Sequence, residues 1–263
     1  MSKIITFATL KGGTGKSTTA FSTAGILAER GYKVLVIDVD PQANITSNFS
    51  IDETIEGYKG IREVFDNERT PVVEVVTKSP IPELPTLDVI GATIGLTATE
   101  MKIISLGGRE FILKRYFKSN KEFFDQYDFI IFDTNPSLSI INQNTYVISD
   151  GIVLVSDIGM NALKGLEMFT ALWEDISQRL VIDDNLKGVI VNKFDKRNSI
   201  AREFVQYCEE DKELQKLVFK NYVPLSLRFT ECELSRKPIN LIDKESKAYK
   251  AVNGFIDELL ARL

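Results

Sequence analysis

Histidine is absent from this chain of 263 residues, and cysteine is nearly so, with only Cys208 and Cys232. Without imidazole there is no Ser-His-Asp triad, no histidine-ligated zinc and no imidazole general base. Any chemistry must run on carboxylates, lysine, a divalent ion and the backbone. Two cysteines so far apart supply neither a metal motif nor a redox pair and read as reduced structural thiols. There is no long apolar run, no leader-like start and no apolar or basic tail, so the expectation is a soluble cytoplasmic protein. Bulk positive charge is missing too. At a net charge of −5, contact with nucleic acid would have to come from a local patch.

What is present can bury a full core, since 44% of the residues are hydrophobic. Short apolar runs alternate with helical spacing throughout. Strands are predicted near 3–9, 33–38, 87–90, 127–132, 151–156, 186–191 and 218–223. Helices are predicted near 16–30, 60–68, 108–124, 139–149, 161–180, 199–216 and 246–262. Runs such as KVLVIDVD, DFIIFD, GIVLV and GVIVN are apolar without alternation, as strands covered on both faces are. The predicted fold is α/β: a doubly wound, mostly parallel sheet flanked by helices, in a single domain spanning 1–263. The proline-rich stretch 79–86 reads as an exposed connection within that domain.

Between the first strand and the first helix lies Lys11-Gly12-Gly13-Thr14-Gly15-Lys16-Ser17-Thr18. The strict phosphate-loop pattern asks for glycine where this chain has Leu10. The chemistry is nonetheless complete. Three glycines let backbone N–H groups turn around an anion, and Lys16 and Ser17 stand where a phosphate lysine and a magnesium hydroxyl belong. Strand, glycine loop and helix follow in the required order, which points to a bound polyphosphate.

In an open parallel sheet the working residues sit at the carboxyl ends of strands. The second strand exits through Asp38 and Asp40, two acids at alternate positions followed by Pro41. Such acids also cap helices and form turns, but opposite a phosphate loop they favour metal or water positioning. The run Phe129–Phe132 delivers Asp133, a carboxylate able to hold magnesium through its water shell while Ser17 ligates the ion directly. The turn Asn135-Pro136-Ser137 is placed to sense a terminal phosphate or to serve as a plain loop. Later, Asn192 ends one strand and Pro224 the next, offering an amide and free backbone to a purine edge.

KGGTGKST, IDVDPQAN, FIIFDTNPSL and PLSLRFTECELSRKPI, in this order, resemble the ParA/Soj-type partition ATPases of the deviant Walker A class, which also contains MinD and the nitrogenase iron protein. The resemblance spans nearly the whole chain and implies a P-loop ATPase using ATP and Mg2+. It also implies that Lys11 reaches the partner's phosphates across a nucleotide-sandwich homodimer. Lys16 would hold the β- and γ-phosphates, Ser17 the magnesium and Thr18 the α-phosphate, with Gly12, Gly13, Thr14 and Gly15 forming the cradle. Asp40 would orient the attacking water, Asp38 would act near the metal from the outer sphere, and Asp133 would be the Walker B acid. Asn192 and Pro224 match the adenine pocket. Where the family has Pro-Pro after the Walker B acid, this chain has Asn135-Pro136, and 157–165 stands at an interface loop without matching it residue by residue.

The phosphate loop begins at residue 11, leaving no expected room for the N-terminal helix-turn-helix of larger relatives. The C-terminal stretch, with Asp257 and Glu258 among its polar positions, lacks the cationic face of a MinD-like membrane helix. Two scattered cysteines do not make an iron-sulfur site. What remains is the small partition branch: a slow ATPase that binds DNA without sequence preference, is stimulated by a ParB-like centromere-binding partner and associates with the nucleoid. A MinD-like membrane-associated positioning ATPase and a metabolic or metal-cofactor assembly enzyme are the alternatives. Residues 184–250 hold fourteen Lys plus Arg against eleven Asp plus Glu. Arg228, Arg236, Lys237 and Lys247 are the preferred DNA contacts, with Lys193, Lys196, Arg197, Lys244 and Lys250 as further candidates.

Overall fold

The computed structural model describes residues 2–158, 160–212 and 214–263, with the side chains of Met160, Asn161 and Ala162 outside that description. Six strands form one all-parallel sheet: β1 (Lys3–Ala8), β2 (Val34–Asp38), β3 (Leu87–Ile90), β4 (Phe129–Asp133), β5 (Gly151–Ser156) and β6 (Leu186–Val191). Their spatial order is β3-β2-β4-β1-β5-β6. This is the doubly wound architecture predicted from the apolar runs.

Alternate strand residues serve opposite faces of the sheet. Ile5, Phe7, Val36, Ile131 and Val153 pack beneath helix α1 (Lys16–Glu29) and the C-terminal helix Lys247–Arg262. On the other face Leu35, Ile37, Ile130 and Phe132 meet the Ile61–Asp66, Leu96–Ile103 and Ile112–Ser119 helices, while Leu154 and Val191 meet Met160–Leu180 and Ser199–Glu210. Because neither face meets water, every residue of β2, β4 and β5 is buried. That explains the unbroken apolar runs. The C-terminal helix sinks Ala248, Val252, Phe255, Ile256 and Leu259 into the core, with Phe255 edge-on to Phe219 at 4.8 Å. Its apolar stripe is spent on packing. No helix among the described residues is long and apolar enough to cross a membrane.

The structure departs from the sequence prediction in several places. The seventh strand expected at 218–223 is reduced to isolated parallel bridges, Val189 with Val218 and Phe194 with Pro224. The ladder is interrupted because the Lys220 and Asn221 N–H groups donate to the Glu258 carboxylate, at 2.8 and 2.9 Å, instead of to β6. The helix expected over 108–124 breaks at Asn120, whose side-chain amide takes the Tyr116 carbonyl at 3.0 Å. That over 199–216 divides at Asp211, whose carboxylate caps Leu214 at 2.9 Å. Among the described residues three α-helices were not predicted, Asn44–Asn48, Leu96–Ile103 and Leu227–Ser235, nor were the single 3-10 turns Val72–Glu74 and Ile239–Leu241. Within the 79–86 connection, Ile81 and Leu84 are buried against the core, so the segment is anchored rather than wholly exposed.

Glu258→Ala leaves the two N–H groups at Lys220 and Asn221 without their acceptor. The variant should lose about 1–3 kcal/mol of stability in chemical denaturation, the usual consequence of orphaning charge-assisted hydrogen bonds.

Candidate nucleotide-binding site

The carboxyl ends of β1, β2, β4 and β6 open onto a cleft of about 750 Å³. Its floor is the loop from Thr9 to Gly15. Gly13 and Gly15 hold positive φ, 76° and 84°, and a Cβ at Gly15 would stand 2.4 Å from the Asn192 amide nitrogen. Only glycine fits there. Helix α1 begins at Lys16 with no side-chain cap and no acid in its first turn. Its free N–H groups and positive dipole end therefore face the cleft, as an anion site requires.

The loop is held from the β6 side. The Asn192 amide donates to the Thr14 carbonyl at 2.8 Å and to the Thr19 hydroxyl at 3.2 Å, while its oxygen accepts the Lys193 N–H at 2.9 Å. Lys193, in a left-handed conformation, donates its ammonium to the Gly13 carbonyl at 2.5 Å. Lys193, itself exposed, thus braces the phosphate loop. Asn192 keeps one lone pair of its oxygen for the cleft, which it lines with Pro224.

Parallel register brings the acids together. Asp38 on β2 pairs with Asp133 on β4, and both are fully buried. Lys16 forms an ion pair with Asp133 Oδ1 and lies 3.4 Å from the Ser17 hydroxyl. Asp38 accepts the Asp40 N–H at 2.9 Å and both the N–H and hydroxyl of Thr46, at 3.1 and 2.6 Å. Burial, with the Asp133 charge second, raises its pKa to about 7. Asp40 lines the cleft and accepts the Gln42 N–H at 2.9 Å; burial raises its pKa as well. Asp133 Oδ2 is buried with no hydrogen-bond partner.

That orphan oxygen is what a hard divalent cation requires, and with the Ser17 hydroxyl, which shares Lys16 as a neighbour with Asp133, the donor set of carboxylate and hydroxyl suits Mg2+. Among the described residues no cluster of three or more acids or thiols could hold a metal without help. Phosphate oxygens and water would complete the shell.

Lys11, at the other end of the loop, points away from this cluster. It pairs with Asp157 and remains 55% exposed. The Asp157–Gly165 stretch runs partly outside the described residues, at Gly159 and the three side chains after it. Asn135 turns inward, its oxygen accepting the Asn142 amide at 2.8 Å, so that Pro136 faces the cleft in its place.

The basic candidates divide. Arg228 is paired with Glu231 and Asp243, and Lys237 with Glu83. Arg236 and Lys247 are exposed and have no ion pair among the described residues. Lys247 sits in the first turn of its helix, where the dipole disfavours a cation. Sequence reasoning did not single out Thr46, which holds Asp38, Asn142, which holds Asn135, or Glu233, which meets Thr18. The first two are neighbours in the chain of the residues they hold, while the Glu233 contact joins segments remote in sequence.

A doubly wound parallel sheet with a glycine loop after its first strand, a buried lysine on a Walker-type acid and a capless helix N-terminus defines a P-loop nucleotide-binding protein. Residues 2–188 match a family described as AAA domain. The chain is 33% identical to the chromosome partitioning protein ParA of Myxococcus xanthus over 261 residues, 99% of this chain and 88% of that one. It is 30% identical to the sporulation initiation inhibitor protein Soj of Bacillus subtilis over 262 residues, 99% of each chain. It therefore belongs to the ParA/Soj family of P-loop proteins. A putative plasmid partition protein of Borrelia burgdorferi, solved bound to AMPPNP, shares the fold at a TM-score of 0.80 and 23% identity over the full length of both chains.

Asp38 holds its proton more tightly folded than unfolded. Its contribution to stability is complete below the ordinary carboxylate range and is lost as pH rises through about 7, at about 1.4 kcal/mol per unit. From about pH 5 to pH 8, the metal-free stability difference should shift toward Asp38→Asn by about 2–3 kcal/mol. A difference independent of pH would mean that Asp38 is ionised throughout.

Proposed function

We propose that the chain is a magnesium-dependent ATPase of DNA partition, cytoplasmic and nucleoid-associated. ATP drives a nucleotide-sandwich homodimer that binds DNA without sequence preference, and hydrolysis stimulated by a ParB-like centromere-binding protein switches it off. The observation that carries this reading is the division of the two loop lysines. Lys16 is buried on Asp133, within reach of its own subunit's phosphates, while Lys11, paired with Asp157, is exposed at the cleft mouth and would leave that partner to act on another subunit. Family membership and the names of the relatives support the partition role.

In this reading Lys16 exchanges Asp133 for the β- and γ-phosphates, and the loop N–H groups from Gly12 to Gly15 cradle them. Ser17 and Asp133 would hold the magnesium ion, which neutralises phosphate charge when bound. Thr18 donates to the α-phosphate. Asp40, at the cleft wall, would position the attacking water, while Asp38 accepts the Asp40 N–H and would act on the metal only through its outer sphere. The remaining lone pair of Asn192 accepts from the adenine amino group, and the backbone at Pro224 completes the base edge. Phosphoryl transfer depends on positioning and charge neutralisation. A lysine supplied only by the second subunit therefore couples turnover to assembly. Arg236 and Lys247, which form no ion pair among the described residues although the Arg236 charge acts on Asp52, are the first DNA contacts; Arg228 and Lys237 would exchange acidic partners for phosphates.

Co-sedimentation with ATP and Mg2+ separates this reading from a membrane-positioning ATPase. The protein should pellet with DNA and stay soluble with anionic liposomes, and the reverse outcome sinks the partition reading. Arg236→Ala with Lys247→Ala should weaken the DNA-bound fraction several-fold and lower its salt sensitivity. Lys11→Ala should bind ATP within about threefold of wild type while losing hydrolysis by a factor of at least about 100 and losing the dimer by sedimentation velocity. Normal turnover in that variant would remove its role across the interface.

A further inference from the structure

One wall of the cleft is the Leu227–Ser235 helix, which presents Phe229, Thr230 and Glu233, preceded by its cap Ser226. These positions repeat at three and four residues and so share one helix face. The face starts beside Pro224 and Leu225, where the base is placed, and ends at the first turn of α1. There Glu233 Oε1 accepts the Thr18 hydroxyl at 2.9 Å. A nucleoside laid from Pro224 to the phosphate loop carries its sugar past Glu233. Packing does not call for an acid at this position: Glu233 is exposed and has no ion pair among the described residues. A carboxylate beside a polyphosphate site is also repulsive unless a donor stands between them.

We propose that Glu233 is the sugar-recognition residue of this site, accepting hydrogen bonds from the ribose hydroxyls and setting a preference for ribonucleoside over deoxynucleoside triphosphates. The proposal rests on reading the cleft as an ATP site. Ionised Glu233 is an acceptor only, and the ribose 2′ and 3′ hydroxyls are adjacent donors spaced for its two oxygens. When the nucleotide arrives, Thr18 turns its hydroxyl from Glu233 to phosphate, and the sugar supplies Glu233 with replacement donors. No polar group is left unsatisfied by the exchange. Arg228 rides on the same helix and Arg236 follows its last turn. The sugar contact thus links the nucleotide directly to the segment proposed to meet DNA.

The test is calorimetric titration, with Mg2+, of ATP, 2′-deoxyATP, 3′-deoxyATP and 2′,3′-dideoxyATP into wild type, Glu233→Gln and Glu233→Ala, with circular dichroism to check folding. Wild type should bind dideoxyATP at least about tenfold more weakly than ATP. Glu233→Ala should lose about tenfold in ATP affinity while dideoxyATP stays within about threefold, so that discrimination collapses. Glu233→Gln, which keeps one acceptor, should fall between the two. Equal binding of ATP and dideoxyATP by wild type removes this proposal alone. So does a variant that strengthens all four nucleotides alike, since the carboxylate would then merely repel phosphate. Failure of wild type to bind ATP removes the nucleotide reading and this proposal together.

Discussion

The site is organised by an imbalance: two fully buried carboxylates, Asp38 and Asp133, stand side by side on neighbouring strands with Lys16 as their one buried cation. An uncompensated buried charge is worth several kcal/mol against the fold, so the protein must relieve it. It does so in two ways. Asp38 is wrapped in three hydrogen bonds and its pKa is raised to about 7, while Asp133 takes Lys16 on one oxygen and leaves the other without a partner. The Asp133 oxygen that has no partner is the acceptor that the proposed magnesium ion would use.

The phosphate loop has to be rigid where it meets phosphate and free where it meets a second subunit. Asn192 and Lys193 fasten its Gly13 and Thr14 carbonyls to the end of β6, and Gly15 has no side chain because Asn192 occupies the space. At the other end the exposed Lys11 side chain is tied to the half-buried Asp157. An ion pair so open to water contributes little, so it orients the lysine without holding it.

Most of the architecture was legible along the chain. The six strands were visible as apolar runs because a sheet covered on both faces needs every residue apolar, and α1 was visible between its glycine loop and Gly31. The seventh strand was misread for a reason invisible locally: Val218 and Val223 have strand character, but Glu258, on another helix, takes the intervening N–H groups. The Leu227–Ser235 helix was missed because it anchors to the core through little more than Cys232 and Phe229, while its leucines, Leu227 and Leu234, are exposed, so the apolar residues do not fall on one buried stripe. Ile81 and Leu84 were hidden among prolines that read as loop.

The sequence alone determined the parallel α/β sheet, the phosphate chemistry of residues 11–18 and the acids at the strand exits. Those properties depend on residue types at short, fixed spacings, through backbone periodicity and glycine's access to positive φ. Tertiary structure alone decided which acids are driven toward their neutral form, that Lys193 braces the loop, that Asn135 turns inward, and that Glu233 reaches Thr18. Each of these depends on strand register or helix docking between segments remote in the chain. A carboxylate's charge state and partner follow from its depth and its neighbours, and no local spacing encodes either.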